Sequence, residues 1–271
     1  MKRKLAVIGV GNMAKAIING IVSCDLPVAE ILLYDKNTAQ YNDILYNSNI
    51  AIRAAESLEN AISEADCVLL SVKPQNFPEV LEQISSVDGH ETKVYISIAA
   101  GITVENVSSP LHGACVIRVL PNVPMLIGQG VSVICENPLA TASDFDFVCN
   151  VFKSAGSVVL IQEEEMNRMI CVTSSSPAYV FQFINAIYQG ALAQGLPDND
   201  LLNIICDMVI GSAQLLKNST DTPDELIAKV ASKGGTTERA IATLKEHRVM
   251  EAYADAMMAC TKRADELGAK K

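Results

Sequence analysis

Gly9-Val10-Gly11-Asn12-Met13-Ala14 follows directly on the apolar run Leu5-Ala6-Val7-Ile8 and leads into Ile17, Ile18, Ile21 and Val22, which recur at helical spacing. This is G-x-G-x-x-A at the joint of a strand and a helix. Gly9 permits a tight turn, Gly11 lets a pyrophosphate approach the backbone, and Ala14 lets the helix pack closely on the strand. Asn12, Met13 and Ala14 open the helix, whose N-terminus offers unpaired N–H groups and a positive dipole end. A second strand, Ile31-Leu32-Leu33-Tyr34, ends at Asp35. That is about twenty residues beyond the loop, where this motif keeps the acid that reads the ribose. The loop alone is a weak signal, because glycine-rich turns also arise for structural reasons. Its context makes it a dinucleotide site.

The remainder of the chain is consistent with that start. Its 271 residues are 49% hydrophobic, enough for one large domain or two smaller ones. The formal charge of −10 comes from 21 basic and 31 acidic residues, with no Lys/Arg cluster. Nucleic acid and anionic membranes are therefore not expected partners. The eight cysteines form no C-x-x-C pair, and most lie in apolar runs such as Cys67-Val68-Leu69-Leu70. Free thiols in a reducing compartment explain them better than disulfides or zinc. Met1-Lys2-Arg3-Lys4 is basic, but the apolar run behind it is short and meets the glycine loop, so it reads as a strand and not a signal peptide. The apolar segment from Val180 is interrupted by Gln182, Asn185 and Gln189. A cytoplasmic protein without membrane spans is expected.

Strands and helices alternate through the first half. A polar helix is predicted near Thr38 to Asn47, then a short strand at Ile50-Ala51-Ile52, a helix over Leu58–Glu64, and a buried strand from Asp66 to Val72. A helix near Pro78–Ile84, a strand over Val94–Ile98, a short helix capped by Thr103, and a strand over Cys115–Val119 follow. Strands near Val131–Ile134 and Val158–Ile161 flank a helix near Ala142–Phe152. The predicted fold class is α/β: a Rossmann-type, doubly wound, mostly parallel sheet, followed by an all-helical region. Helices are predicted over Pro177–Gln194, from a start at Leu196-Pro197 with its body over Leu201–Leu216, from Asp221, over Thr236–Glu246 and over Val249–Leu267. The reading divides the chain into residues 1–160, which bind dinucleotide, and residues 161–271, which bind substrate and dimerise. The helices are apolar over wide faces, which points to a homodimer or larger homo-oligomer.

In open α/β sheets the ligand lies beyond the carboxyl ends of the strands. Ser71-Val72-Lys73-Pro74, Ser97-Ile98-Ala99-Ala100-Gly101 and Arg118-Val119-Leu120-Pro121-Asn122 stand at such ends and are small, rigid or polar. Ser232-Lys233-Gly234-Gly235-Thr236-Thr237 lies between two helices. Its glycines let backbone N–H groups converge at a helix N-terminus, and its hydroxyls add donors, which suits a carboxylate. Val172-Thr173-Ser174-Ser175-Ser176-Pro177-Ala178-Tyr179 is a second polar helix start. His90, His112 and His247 fall in no motif and are expected to be exposed. No metal site is expected.

These motifs, in this order, resemble the pyrroline-5-carboxylate reductase family over nearly the whole chain. Gly9 to Ala14 resembles its dinucleotide loop and Val72-Lys73-Pro74-Gln75 its V-K-P-x. Ala99-Ala100-Gly101 resembles its A-A-G, and Pro121-Asn122-Val123-Pro124 its P-N-T-P. Ser175-Ser176-Pro177-Ala178-Tyr179 resembles S-G-P-A-Y, and Ser232 to Thr237 resembles S-P-G-G-T-T. The resemblance implies hydride transfer from NADPH or NADH to the C=N carbon of 1-pyrroline-5-carboxylate, giving L-proline. It implies cofactor contacts at Gly9, Gly11, Asn12, Met13, Ala14, Asp35, Lys36, Ser71, Val72, Lys73, Pro74, Ala99, Ala100, Gly101 and Asn122. It implies a substrate between the first domain and the helical domain of a dimer, held by Ser175, Ser232, Gly234, Gly235, Thr236 and Thr237. Thr237 is the expected hydrogen-bond partner of the ring nitrogen. The substrate nitrogen can carry its own proton, so no catalytic histidine is required.

The chain departs from the family pattern near the substrate. Ser174 and Ser176 replace glycines, Val123 replaces a threonine and Lys233 a proline, while Asn167 and Ile170 stand at an acidic and a threonine position. These changes leave open a reductase of another cyclic imine or carbonyl compound, or a non-catalytic nucleotide-binding relative. Asp35 accepts from a ribose 2′-OH and favours NADH, whereas Lys36 could neutralise a 2′-phosphate and favour NADPH.

Overall fold

The structure is a computed structural model that describes residues 2–24, 26–41, 44 and 49–269. It contains an eight-stranded sheet of order β3-β2-β1-β4-β5-β6-β7-β8. The strands are β1 (Arg3–Ile8), β2 (Val28–Tyr34), β3 (Ala51–Ala54), β4 (Cys67–Leu70), β5 (Val94–Ser97), β6 (Cys115–Leu120), β7 (Gly130–Cys135) and β8 (Gly156–Ile161). β3 through β6 in sheet order are parallel, β7 runs antiparallel to β6, and β8 is parallel to β7. The order reverses between β1 and β4, which opens a crevice at their carboxyl ends.

Two cores sandwich the sheet. α1 (Asn12–Ser23) and α5 (Ala142–Lys153) cover one face, where Ile17, Ile18, Ile21, Val148 and Phe152 meet Leu5, Val7, Ile96 and Ile117. α2 (Leu58–Glu64), α3 (Phe77–Ser85) and α4 (Val104–Ser108) cover the other, where Ile62, Phe77, Leu81 and Val107 meet Ala6, Val68, Tyr95 and Val116. Each such fully buried aliphatic side chain contributes about 1.5–3 kcal/mol relative to exposure. The strands are buried on both faces, so they read as continuous apolar runs rather than alternating ones. α4 starts with a capping box between Thr103 and Asn106, and α5 with one between Thr141 and Asp144.

Of the expected helix near Thr38–Asn47, Thr38–Tyr41 form a 3₁₀ turn, and residues 42, 43 and 45–47 lie outside the described residues. No helix among the described residues is long and apolar enough to cross a membrane.

The chain forms two compact units, residues 1–177 with 259–271, and residues 178–258. α6 (Glu163–Met169), a π-helical turn over Ile170–Ser174 and the end of α11 (Val249–Ala269) belong with the sheet. Met166, Ile170 and Ala264 pack there with Leu120, Val133 and Cys135. The second unit comprises most of α7 (Ser176–Ala193), then α8 (Leu201–Asn218), α9 (Pro223–Val230), α10 (Thr236–Glu246) and the first part of α11. α8 begins at Leu201, where the body of the expected helix begins, and the expected start at Leu196-Pro197 is not helical. Asp200 just before it has φ +62°, so the chain turns sharply there before helix can propagate. α7, α9 and α10 bury no residue in the single chain. Phe181, Val230 and Met250 are 60%, 68% and 77% exposed. A helical unit with so little core of its own needs a further surface to cover it.

Candidate active site

The strand ends of the sheet unit bring the predicted dinucleotide residues to one edge. Gly9 has φ +88°, and a Cβ there would lie 2.8 Å from Val72 Cγ1 and 2.9 Å from the Ser71 and Val72 backbone. Only glycine takes that turn and lets the ends of β1 and β4 approach so closely. Gly11 differs: a Cβ on it would meet nothing within 4 Å. α1 starts behind Gly11 with no side-chain cap, so its first-turn N–H groups face that open space without a side-chain acceptor. An uncapped helix start beside an open glycine fits a pyrophosphate.

Asp35 is held by the loop itself. Its Oδ2 accepts the Val10 N–H at 2.7 Å and its Oδ1 the Asn37 N–H at 2.8 Å. Lys36 Nζ lies 2.6 Å from Glu79 Oε1. Ser71 N–H donates to Ile8 carbonyl at 2.9 Å, and exposed Lys73 leads into a 3₁₀ turn over Pro74–Asn76. At the end of β5, Ala99 is buried and Gly101 has φ +80°. A Cβ on Gly101 would lie 2.8 Å from Ala264 carbonyl oxygen and 2.9 Å from Leu267 Cβ. Gly101 thus faces the last turns of α11. Asn122 is buried; its Nδ2 donates to Thr173 carbonyl at 3.2 Å and its Oδ1 accepts Val131 N–H at 2.8 Å.

Beneath the ends of β5 and β6 a polar cluster joins Ser97, Arg118 and Asn167, which the sequence marks separately, to Glu163 and Asp265, which it does not. Arg118, on β6, is 1% exposed. Burial lowers its pKa, and the Glu163 carboxylate acts against that. Arg118 Nη2 donates to Asn167 Oδ1 at 2.6 Å, and Nη1 lies 3.6 Å from Glu163 Oε1. Glu163 also accepts Val104 N–H at 2.6 Å, and Asn167 Nδ2 donates to Asp265 Oδ1 at 2.8 Å. Ser97 is the register neighbour of Arg118 on β5; its Oγ and Arg118 Nε are buried without a hydrogen-bond partner. The signal was present as one arginine inside the apolar run Cys115–Leu120.

In the second unit the Ser232–Thr237 bend is compact. Gly234 has φ +75°, and Gly235 N–H donates to Ser232 carbonyl at 2.9 Å. A Cβ on Gly235 would lie 2.7 Å from Ser232 Oγ. α10 then starts at Thr236 with Gly235 as its N-cap and no side-chain cap. Gly234 N–H donates to Glu238 Oε2 at 2.7 Å, so this bend already holds a carboxylate from its own chain. The sequence reading did not weigh Glu238.

Residues 163–267 match the family model described as pyrroline-5-carboxylate reductase dimerisation, and residues 4–101 match NADP oxidoreductase coenzyme F420-dependent. Pyrroline-5-carboxylate reductase from Escherichia coli (strain K12) is 33% identical over 98% of this chain and 99% of its own length. The crystal structure of 1-pyrroline-5-carboxylate reductase from Streptococcus pyogenes superposes with TM-score 0.87 at 27% identity, covering 98% of this chain and 99% of that one. That of pyrroline carboxylate reductase from Plasmodium falciparum, with NADP bound, has TM-score 0.87 at 23% identity and covers 98% of each chain. The chain belongs to the pyrroline-5-carboxylate reductase family.

Against that family pattern, Ser174 and Ser176 cause no backbone strain. Among the described residues only His112, Asp200 and Arg248 combine a side chain with positive φ. Ser174 lies instead in the π-helical turn, closed by Ser175 N–H donating to Ile170 carbonyl at 2.9 Å, and Ser176 opens α7. Ser175 Oγ is 3.3 Å from Cys260 Sγ. Val123 begins a 3₁₀ turn over Val123–Ile127 and is exposed, as is Lys233 in its bend. His112 and His247 are exposed, but His90 is buried, contrary to the expectation from its polar surroundings. Its Nδ1 pairs with Val87 carbonyl at 2.7 Å in the turn ahead of β5. No group of three or more His, Cys, Asp or Glu among the described residues is arranged to hold a metal ion.

Proposed function

We propose that this chain reduces 1-pyrroline-5-carboxylate to L-proline with NADH or NADPH. The observation that carries the reading is the match to a reductase of that name over 98% of the chain. When bound, the reduced nicotinamide supplies the hydride that reaches the C=N carbon. The chain's own residues bind and orient. Gly11 and the N–H groups of Asn12, Met13 and Ala14 receive the pyrophosphate, and Asp35 receives the ribose. Ser71 to Pro74 and Ala99 to Gly101 border the crevice, while Asn122 supports it by holding the π-helical turn. The Gly234 amide and the hydroxyls of Ser232 and Thr236 hold the substrate carboxylate, in a bend that Gly235 closes by donating to the Ser232 carbonyl. Thr237 Oγ1 hydrogen-bonds the ring nitrogen and keeps the protonated imine oriented for attack. Orientation of this kind supplies much of a bimolecular barrier.

The working assembly is a homodimer or larger homo-oligomer through the helical region, supported by the match at 163–267 and by its exposed apolar helices. The functional division at residues 160/161 assigns the cofactor to the first part and substrate and dimerisation to the second, although residues 161–177 and 259–271 pack with the sheet. A cytoplasmic location agrees with eight unpaired cysteines.

Thr237→Val tests the central role. It should lower kcat by about a hundredfold while dinucleotide affinity is retained; an unchanged kcat would remove Thr237 from the chemistry. Comparing five- and six-membered cyclic imino acids tests the substrate. Preference for the larger ring would overturn the proline reading.

A further inference from the structure

We propose that Glu79 determines cofactor choice: it occupies Lys36 and so makes this chain prefer NADH to NADPH. The inference rests on the dinucleotide reading of the β1 loop. β1 is flanked by β2 and β4, whose ends form the two walls of the crevice beside that loop. Lys36 follows β2, and Glu79 stands in the first turn of α3, after β4. Their 2.6 Å contact therefore ties one wall to the other. Gln83 Nε2, one turn along α3, lies 3.4 Å from the same Glu79 oxygen. Read from the sequence, Lys36 favours a 2′-phosphate; in the fold its charge is matched.

The local charges then discriminate. Asp35 and Glu79 contribute two negative charges and Lys36 one positive charge. Asp35 is pinned by two backbone N–H groups and cannot swing aside without losing both. A ribose 2′-OH donates to such a carboxylate. A 2′-phosphate carries about two negative charges at neutral pH and must either displace Glu79 from Lys36 or face both carboxylates. Lys73, on the opposite wall, is the alternative receptor for that phosphate.

The test is calorimetric titration of the purified protein with oxidised NAD and NADP, and with 5′-AMP and 2′,5′-ADP. Wild type should bind NAD at least about tenfold more tightly than NADP. Glu79→Gln should tighten NADP and 2′,5′-ADP by about fivefold while leaving NAD and 5′-AMP unchanged. That gain should shrink at high salt and vanish in the double variant Glu79→Gln with Lys36→Gln. Wild type that binds NADP as tightly as NAD, or a Glu79→Gln effect equal on both, overturns the inference. So does a gain that survives loss of Lys36, which would point to Lys73. If neither dinucleotide binds, the reading of the β1 loop falls with it.

Discussion

Gly268, in the last turn of α11, lies so close to Gly101 that a Cβ on it would stand 2.5 Å from the Gly101 carbonyl oxygen. The contact is reciprocal, since a Cβ on Gly101 would meet Ala264 carbonyl. The end of α11 is thereby seated on the loop that follows β5, at the crevice edge. Gly268→Ala should lower the melting temperature and weaken dinucleotide binding together, by about 1–3 kcal/mol in stability. Gly101→Ala should cost more, because its φ of +80° adds backbone strain. Thermal unfolding with and without cofactor checks both.

Gly9 and Gly11 stand two residues apart but should fail in different ways. Gly9→Ala meets the Val72 backbone and should destabilise the apoprotein. Gly11→Ala meets nothing in the protein, so the apoprotein should keep its melting temperature while dinucleotide affinity falls. Paired melting curves and binding titrations separate the two effects.

The dinucleotide loop and the start of α10 were legible in the sequence because a local rule dictates each. Gly9, Gly11 and Asp35 follow a fixed spacing, and Thr236 begins α10 where the paired glycines end. What escaped were contacts between distant segments. Nothing near Gly101 signals that residues 264–268 will press on it, and nothing near His90 shows that the turn ahead of β5 folds inward. The π-helical turn carries no periodicity signal; it depends on Ser175 N–H reaching Ile170 carbonyl. Arg118 was legible as a polar residue at a strand end, but its partners Glu163 and Asn167 lie on a later helix, and Asn167 in turn leans on Asp265 of another.

Asn167→Leu should destabilise the protein by about 1–3 kcal/mol, because it strips buried Arg118 of its 2.6 Å partner. Replacing Arg118 with Met should be milder than replacing it with Ala, since both remove the cation and only Met refills the volume. Chemical denaturation of the three variants gives the ranking.

Glu238 places a carboxylate on the bend proposed to take the substrate's carboxylate, 2.7 Å from Gly234 N. Glu238→Gln keeps an acceptor for that N–H and removes the charge. The KM for the imino acid should fall about twofold to fivefold, with kcat little changed. A higher KM would show that Glu238 aids binding.

Acid should loosen the β2–β3 edge early. Arg53, the main cause, holds the Glu30 and Glu64 carboxyls below their usual range, with Lys4 assisting. Groups with depressed folded pKa values stabilise the fold above their unfolded values and lose that contribution as pH falls through the folded ones. Stability should therefore decline below about pH 4.5, near the unfolded glutamate value, and Arg53→Gln should flatten that decline. Melting temperatures measured across the acid range show it.

The most direct measurement follows loss of reduced-nicotinamide absorbance when purified protein meets 1-pyrroline-5-carboxylate, with L-proline quantified in the same samples. One L-proline formed for each reduced cofactor consumed is the predicted result. Binding of both ligands with no cofactor oxidation would contradict the account.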